Sequence, residues 1–206
     1  AKPKGTLEHN STTYVHILAE VGKRVFADRA EYLGDPDFYE VPKTALLADD
    51  YLSNRASTIR PDAISTTENI KPGLHESEQK THFSILDKWG NAVANTTTIN
   101  LSFGSGVVVS GAGFILNDEI DDFSAKPGVM NVFGAIGGKA NEIQPHKRML
   151  SSMTPTILLQ DNKVKMVTGS PGGTTIISSV YESILNAVEF DMTAEQVVDS
   201  PRFHHQ

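Results

Sequence analysis

Cysteine is absent from the 206-residue chain, which excludes disulfides, thiolate metal sites and a cysteine nucleophile. Positive charge is also scarce, because the formal net charge is −7, and this disfavours nucleic acids and anionic membranes as partners. No apolar run approaches the roughly 20 residues that span a bilayer. The polar first residues do not resemble a signal peptide. The sequence therefore predicts a globular domain, or part of a larger one.

The apolar pattern predicts both helices and strands. Three- and four-residue steps predict a helix that begins after a cap at residues 10–12 and ends near Gly34, followed by a shorter helix over 44–56. A helix follows Gly173, and a capping box at 193–196 begins the last one. The strand-like segments form three pairs, at 82–87 with 92–100, 106–110 with 113–117, and 155–160 with 163–169. This order of elements predicts an α+β layered domain.

Several common functional motifs are missing. No G-x-x-x-x-G-K-[ST] phosphate loop, H-E-x-x-H zinc motif, EF-hand loop or G-x-S-x-G elbow occurs. We therefore expect no metal and no cofactor. The sequence alone does not rule out a Ser-His-Asp triad, but no motif supports one.

Two polar stretches have both a functional and an ordinary interpretation. Gly172 and Gly173 precede a helix, where backbone N–H groups can stabilise an oxyanion, or where the glycines simply form a strand-to-helix turn. Ser151 and Ser152 could grip a carboxylate, although an ordinary Ser/Thr turn is the favoured interpretation of the pair alone.

Two further stretches are equally open. The acidic residues near Asp122 could hold a divalent cation or a substrate ammonium, or form a solvated loop. Alternation places Thr96, Thr98 and Asn100 on one face of the second strand. A small hydrogen-bonding site could lie there, but a solvent-facing strand is the better interpretation from the sequence alone.

Seven stretches become more informative when they are taken together. They are YLGDPDF at 32–38, DKWGNAV at 87–93, the Thr98-x-Asn100 pair, DDFSAKPG at 121–128, KRMLSSMTPT at 147–156, GSPGG at 169–173 and PRFHHQ at 201–206. Their order and spacing resemble the γ-glutamyltransferase (γ-glutamyltranspeptidase) family over nearly the whole chain. That family belongs to the N-terminal-nucleophile hydrolases.

The resemblance implies a fold and an activity. The expected fold is the αββα four-layer sandwich, present here as a partial chain, with residues 1–79 as the end of the large-subunit region and 80–206 as most of the small-subunit region. Both parts are expected to share one globular domain. Family members cut their own precursor before a threonine, which becomes the nucleophile that γ-glutamyl compounds such as glutathione acylate. Water or an acceptor amino acid or peptide then releases the acyl group.

The resemblance also implies roles for individual residues. Thr98 is expected to orient the nucleophile, and Asn100, Glu119 and Asp122 are expected to hold the substrate α-ammonium group.

Further roles are implied at the other end of the expected substrate. Ser151 and Ser152 are expected to donate to the α-carboxylate, and the amides of Gly172 and Gly173 are expected to form the oxyanion hole. Phe133 stands where an aromatic gate residue of a covering loop is expected.

The cleavage point departs from the family pattern. The expected Thr is replaced by Lys80, followed by Thr81 and His82, so the family cleavage site would fall between Gln79 and Lys80. Lysine has no Oγ and cannot perform the N→O acyl shift. The sequence therefore predicts an uncut, inactive chain.

Two alternatives remain open. One is a non-catalytic homologue that binds γ-glutamyl compounds or amino acids. The other is an enzyme that uses Thr81, although a one-residue shift along a strand turns the side chain to the opposite face. The expected partners are a γ-glutamyl substrate, an acceptor and the rest of the large-subunit region. By resemblance, the expected location is periplasmic or secreted.

Overall fold

The computed structural model describes residues 7–66, 80–126, 128–129 and 137–205. Its first helix, α1, spans Thr12–Tyr32 and begins after Ser11, whose hydroxyl accepts a hydrogen bond from the Tyr14 amide at 3.3 Å. The predicted start among the capping residues is confirmed. Side-chain capping of this kind satisfies one of the N–H groups that a helix leaves unpaired.

The single helix predicted over residues 44–56 is wrong, because the chain forms two helices there. They are α2, Lys43–Leu46, and α3, Asp49–Ser57. Ala48 between them is extended, with φ −69° and ψ 136°. Two aspartates then occupy the first turn of α3, where negative charge favours a new helix N-terminus.

Two antiparallel hairpins follow the helices. The first pairs β1, Thr81–Leu86, with β2, Ala92–Thr97, and the second pairs β3, Thr156–Gln160, with β4, Lys163–Thr168. The second hairpin turns through Asp161 and Asn162, both at positive φ, as its right-handed twist favours. A hydrogen bond from the Ser84 hydroxyl to the Val167 carbonyl, 3.2 Å long, joins the two hairpins.

The middle pair of predicted strands, at residues 106–110 and 113–117, forms only in part. The two segments pair antiparallel at a bridge between Val108 and Ile115, and the Val109 and Leu116 amides donate to the Phe114 and Val107 carbonyls at 2.8 and 2.9 Å, but neither segment becomes a regular strand. Glycines at positive φ surround the bridge, and that conformation interrupts an extended ladder.

Helices α4, Thr175–Glu189, and α5, Ala194–Asp199, complete the described elements. The predicted capping box is confirmed, because Thr193 and Gln196 bond reciprocally at the start of α5. Buried Ile176 and Val180 face the core from α4. Tyr14 of α1 lies in the same core, where its ring is 5.6 Å from Phe190. The core thus joins the first helix to the last third of the chain.

No helix in the described ranges is long and apolar enough to cross a membrane.

Candidate active site

A small cavity lies where the residue before β1, the 3₁₀ turn Glu119–Asp122, the segment before β3 and the start of α4 approach α1. Lys80, Asp122, Ser152 and Gly173 line it, together with Arg29 of α1. These residues are far apart in the sequence, and four of them were predicted to belong to one site. The free space within the cavity is about 30 Å³. That space holds about one or two water molecules.

Lys80 and Thr81 have different environments. Lys80 is 8% exposed and lines the cavity, whereas Thr81 is exposed and is not among the described residues that line it. Neighbouring strand residues point to opposite faces, which explains the difference. Gln79, the other residue of the expected cleavage site, lies outside the described residues.

The acidic residues form a 3₁₀ turn, Glu119–Asp122. The carboxyl groups of Glu119 and Asp122 hydrogen-bond to each other. Burial, reinforced by the neighbouring Glu119 charge, raises the pKa of Asp122 to about 6, while the Lys80 ammonium opposes that rise. Burial likewise raises the pKa of Glu119, and Lys80 again opposes it. The pair is therefore an acidic centre whose charge Lys80 stabilises.

Asn100 is fully buried just after β2, with φ +73°. Its backbone N–H donates to the Thr98 hydroxyl at 2.8 Å, and its side-chain Nδ2 donates to the Asp118 backbone carbonyl at 3.3 Å. Its Oδ1 is buried and has no hydrogen-bond partner among the described residues. Asn100 and Thr98 do not line the cavity.

The strand face predicted for Thr96, Thr98 and Asn100 is wrong beyond Thr97, because β2 ends there. Thr96 instead bonds through Oγ1 to Nδ1 of His82 on the paired strand, at 2.8 Å. The alternation therefore applies to Thr96, which lies in β2, and not to Thr98 and Asn100, which follow the strand.

The two serines before β3 have separate roles. The Ser152 hydroxyl accepts a 3.0 Å hydrogen bond from Nη2 of Arg29 and faces the cavity. Ser151 is exposed, accepts from the Met153 amide at 3.1 Å, and lines a separate apolar groove between α1 and α3. Burial lowers the pKa of Arg29, and the Asp122 charge partly offsets that effect.

Gly172 and Gly173 are buried immediately before α4. Gly172 has φ +111°, and a Cβ atom there would lie 2.8 Å from the Thr175 hydroxyl, so the turn requires glycine. Gly173 lines the cavity at the N-terminal end of the 15-residue helix α4. Backbone N–H groups at such an end attract negative charge.

Sequence reasoning missed three residues of this region. All three line the cavity: Arg29, Ser124 and Asn141. Arg29 lies on a helix without a recognisable motif. The Ser124 hydroxyl is buried and has no hydrogen-bond partner among the described residues. The Asn141 side chain donates to the Asp122 carbonyl at 2.8 Å and accepts from the Leu150 amide at 2.9 Å. Only the tertiary fold brings these groups together.

Phe133 and the middle of the expected covering loop lie outside the described residues. Within the described residues, no group of three or more side chains is placed to hold a metal ion.

Comparisons with known proteins show the family. A family model described as gamma-glutamyltranspeptidase matches residues 4–206. The chain is 57% identical over 200 residues to a glutathione hydrolase proenzyme of Pseudomonas aeruginosa, covering 97% of this chain and 36% of the relative. It is 47% identical to the Escherichia coli glutathione hydrolase proenzyme, covering 95% and 34%. The chain thus spans about a third of these relatives.

Solved structures give the fold. Gamma-glutamyltranspeptidase from Pseudomonas nitroreducens, complexed with L-DON, matches with a TM-score of 0.60 and 57% identity, covering 61% of this chain and 65% of that one. Cephalosporin acylase from Bacillus halodurans matches with a TM-score of 0.77 and 24% identity, covering 97% of this chain and 34% of that one.

The fold is therefore the mixed α/β fold of the N-terminal-nucleophile hydrolases, present as a partial chain. With a family match over residues 4–206, the chain belongs to the gamma-glutamyltranspeptidase family.

Proposed function

We propose that this chain carries the γ-glutamyl pocket of a γ-glutamyltransferase-type protein in which the nucleophile has been replaced, so that the protein is neither processed nor active as it stands. One observation carries the proposal. Lys80, at the position of the expected nucleophile, is buried in the same cavity as Asp122, Ser152 and Gly173.

The polar groups around the cavity suit the two ends of a γ-glutamyl group. Asp122, with Glu119 behind it, offers negative charge to an α-ammonium. Ser152 suits the α-carboxylate, because its hydroxyl oxygen already accepts from Arg29 and its own proton remains available to donate. The Arg29 guanidinium adds positive charge on the same side.

Gly173 would serve the reacting carbonyl. Its place at the start of α4 suits stabilisation of the negative oxygen that forms when a nucleophile attacks an amide. Glutathione is the natural candidate substrate, since the P. aeruginosa and E. coli relatives are named glutathione hydrolases. The preceding residues 1–79 and the following residues 80–206 would act as two parts of one unit.

The missing step is nucleophilic attack. A threonine at position 80 would supply Oγ to cut the preceding peptide bond and then to accept the acyl group. Lys80 supplies an ammonium beside carboxyl groups instead, and a protonated amine has no lone pair for attack.

The two alternatives receive different support. A non-catalytic homologue that binds amino acids would use the same cavity. It differs from our proposal only in its biological role, which would be binding of the ligand without any cleavage. An enzyme that uses Thr81 fits less well, because Thr81 is exposed and absent from the described lining.

The test is restoration of the nucleophile. Denaturing electrophoresis and intact mass should show one uncut species for the full-length protein and two fragments, the second beginning at residue 80, for Lys80→Thr. The cut variant should release aniline from a γ-glutamyl anilide. Thr81→Ala in the Lys80→Thr background is the matched control and should still cut. Fragments beginning at Thr81 in the unchanged protein would refute the proposal, as would an uncut Lys80→Thr protein.

A further inference from the structure

Asn141 ends a short 3₁₀ turn, Lys139–Asn141, and is only 4% exposed. Its side chain uses both ends of its amide group. Nδ2 donates to the Asp122 backbone carbonyl at 2.8 Å, and Oδ1 accepts from the Leu150 backbone N–H at 2.9 Å. A carbonyl can only accept and an N–H can only donate, so these two partners fix which way the amide points. The side chain is therefore a defined bridge between two backbone segments.

The two bridged segments carry the two proposed subsites for the charged groups of the ligand. Asp122 itself is the proposed partner of the α-ammonium. Ser152, two residues after Leu150, is the proposed partner of the α-carboxylate. These segments are far apart in the sequence, and one buried amide bonds to both of them.

Backbone contacts strengthen the bridge on the Asp122 side. The Ser124 amide donates to the Asn141 carbonyl at 2.9 Å, and Ser124 pairs with Glu142 in a parallel bridge. Residues 122–124 are thereby aligned with residues 141–142. The hydrogen bond from Asn141 to Leu150 then ties this unit to the segment of Ser152, which Arg29 holds from α1.

The ligand makes the distance between the two subsites important. In an α-amino acid the ammonium and the carboxylate are attached to one carbon atom, so their separation is fixed. Two receptor groups can bind both only if their own separation matches. A displacement of about 1 Å can cost as much as about a hundredfold in rate.

We propose that Asn141 is a positioning residue that sets the spacing between Asp122 and Ser152, and that this spacing selects acyl groups that carry both an α-ammonium and an α-carboxylate. Asn141 acts through its two partners, because both polar ends of its side chain are already bonded to them. The inference rests on the proposed function, because it takes Asp122 and Ser152 to be the receptors. It adds a determinant of the substrate class.

Steady-state kinetics on the full-length Lys80→Thr protein tests the inference with three anilides. L-γ-Glutamyl anilide carries both α-groups, glutaryl anilide lacks the ammonium, and 4-aminobutyryl anilide lacks the carboxylate. Two changes at position 141 are added separately to Lys80→Thr. Asn141→Leu removes both hydrogen bonds at similar volume, whereas Asn141→Asp keeps an acceptor for the Leu150 amide. Circular dichroism checks folding, and denaturing electrophoresis checks cutting.

The matched control is Asn91→Leu in the same Lys80→Thr background. Asn91 is exposed and bonds through Nδ2 to the Asp87 carboxylate at 2.7 Å, in the turn between β1 and β2. The control therefore makes the same substitution at another hydrogen-bonded asparagine, outside the described lining of the cavity.

We expect Asn141→Leu to lower kcat/KM for L-γ-glutamyl anilide at least about tenfold, chiefly through a higher KM, because the ligand can then reach only one receptor at a time. For the two other anilides kcat/KM should stay within about threefold, because each receptor is still present. Asn141→Asp should show a smaller loss of the same kind. Asn91→Leu should leave the preference among the anilides unchanged. If Asn141→Leu does not fold, Asn141→Asp carries the test and should lower kcat/KM for L-γ-glutamyl anilide at least about threefold.

The possible failures are distinguishable. If a folded and cut Asn141→Leu protein keeps the full preference for L-γ-glutamyl anilide, or loses activity equally on all three anilides, Asn141 does not set the spacing and the proposed pocket stands. The inference is also wrong if both Asn141 variants fail to fold, or if they fold and are not cut, because self-cleavage does not need the α-group receptors. If Lys80→Thr itself is not cut, or shows no preference for the anilide with both α-groups, the proposed function and the inference are both overturned.

Discussion

Glu182 of α4 allows a quantitative prediction about stability. The residue is 4% exposed, and its carboxylate accepts long hydrogen bonds from the Phe203 amide, 3.4 Å to each oxygen. Burial raises the pKa of Glu182 from 4.5 to about 7, against the opposing effects of the Phe203 amide and the Arg202 charge. Between a pH near 4.5 and a pH near 7, the folded protein therefore holds a proton that the unfolded chain has already released.

The sign and size of the effect follow from this difference in pKa. Between a pH near 4.5 and a pH near 7, the folded state binds the proton more tightly, so the free energy of unfolding decreases as pH rises. The pKa difference corresponds to an upper limit of about 3 kcal/mol. Because solvent screens part of the charge, we expect about 1 to 2 kcal/mol.

The substitution Glu182→Gln removes the charge and keeps an oxygen that can accept from the Phe203 amide. Urea unfolding at about pH 5 and about pH 8 should show the variant equal to the unchanged protein at the lower pH and about 1 to 2 kcal/mol more stable at the higher one. Glu40→Gln, at an exposed position, is the control and should show no such pH dependence. A stability difference that is the same at both pH values, or that favours the unchanged protein at the higher pH, would refute the reasoning.

Three further predictions follow from close contacts. Gly169→Ala should lower stability by about 1 to 3 kcal/mol in thermal unfolding, because the new Cβ would lie 2.2 Å from Nδ1 of His82. Glu20→Gln should lower it by about 3 kcal/mol, because this 1% exposed carboxylate neutralises the buried Lys23 and the partly buried Arg24 of α1. Lys80→Ala should raise the pKa of Asp122 above about 6 in an NMR titration of labelled carboxyl carbons, since the lost ammonium favours the charged form.

The two stability predictions have matched control variants. Ser170→Ala beside the glycine and Glu31→Gln at an exposed position of α1 should both remain close to the unchanged protein in stability. An unchanged melting temperature for Gly169→Ala would mean that the His82 ring moves at no cost. An Asp122 pKa that is unaltered or lower in Lys80→Ala would mean that the lysine is not its electrostatic partner.

The parts of the fold that could be predicted are those fixed by local chemistry. The capping box at the start of α5 and the Asp161–Asn162 turn between β3 and β4 depend on residues that adjoin in sequence. The break at Ala48 has no comparable signal, because alanine and leucine favour helix and the extended conformation comes from the surrounding fold. Likewise, the apolar residues at 106–117 predict strands, but the positive φ of the glycines among them is not visible in the sequence pattern.

The site divides in the same way. The family resemblance predicted roles for Asp122, Ser152 and Gly173, and all three line one cavity with Lys80. Arg29 carried no such signal: it is one cation among several in a long helix, and its hydrogen bond to Ser152 spans 123 positions of the chain. The sequence also carried no sign that Ser151 and Ser152 would face different cavities, because adjacent residues can point to opposite sides of a segment.

Contacts between the first 35 residues and the segment 148–190 have a consequence for how folding would depend on concentration. Tyr14 packs on Phe190, Arg29 bonds to Ser152, and three hydrogen bonds hold Arg148 on Asp35. All of them join residues before position 66 to residues after position 80. In one uncut chain these contacts form at a fixed, high effective concentration. A cut between those positions would turn the same contacts into an association of two molecules, so dilution alone would then lower the melting temperature.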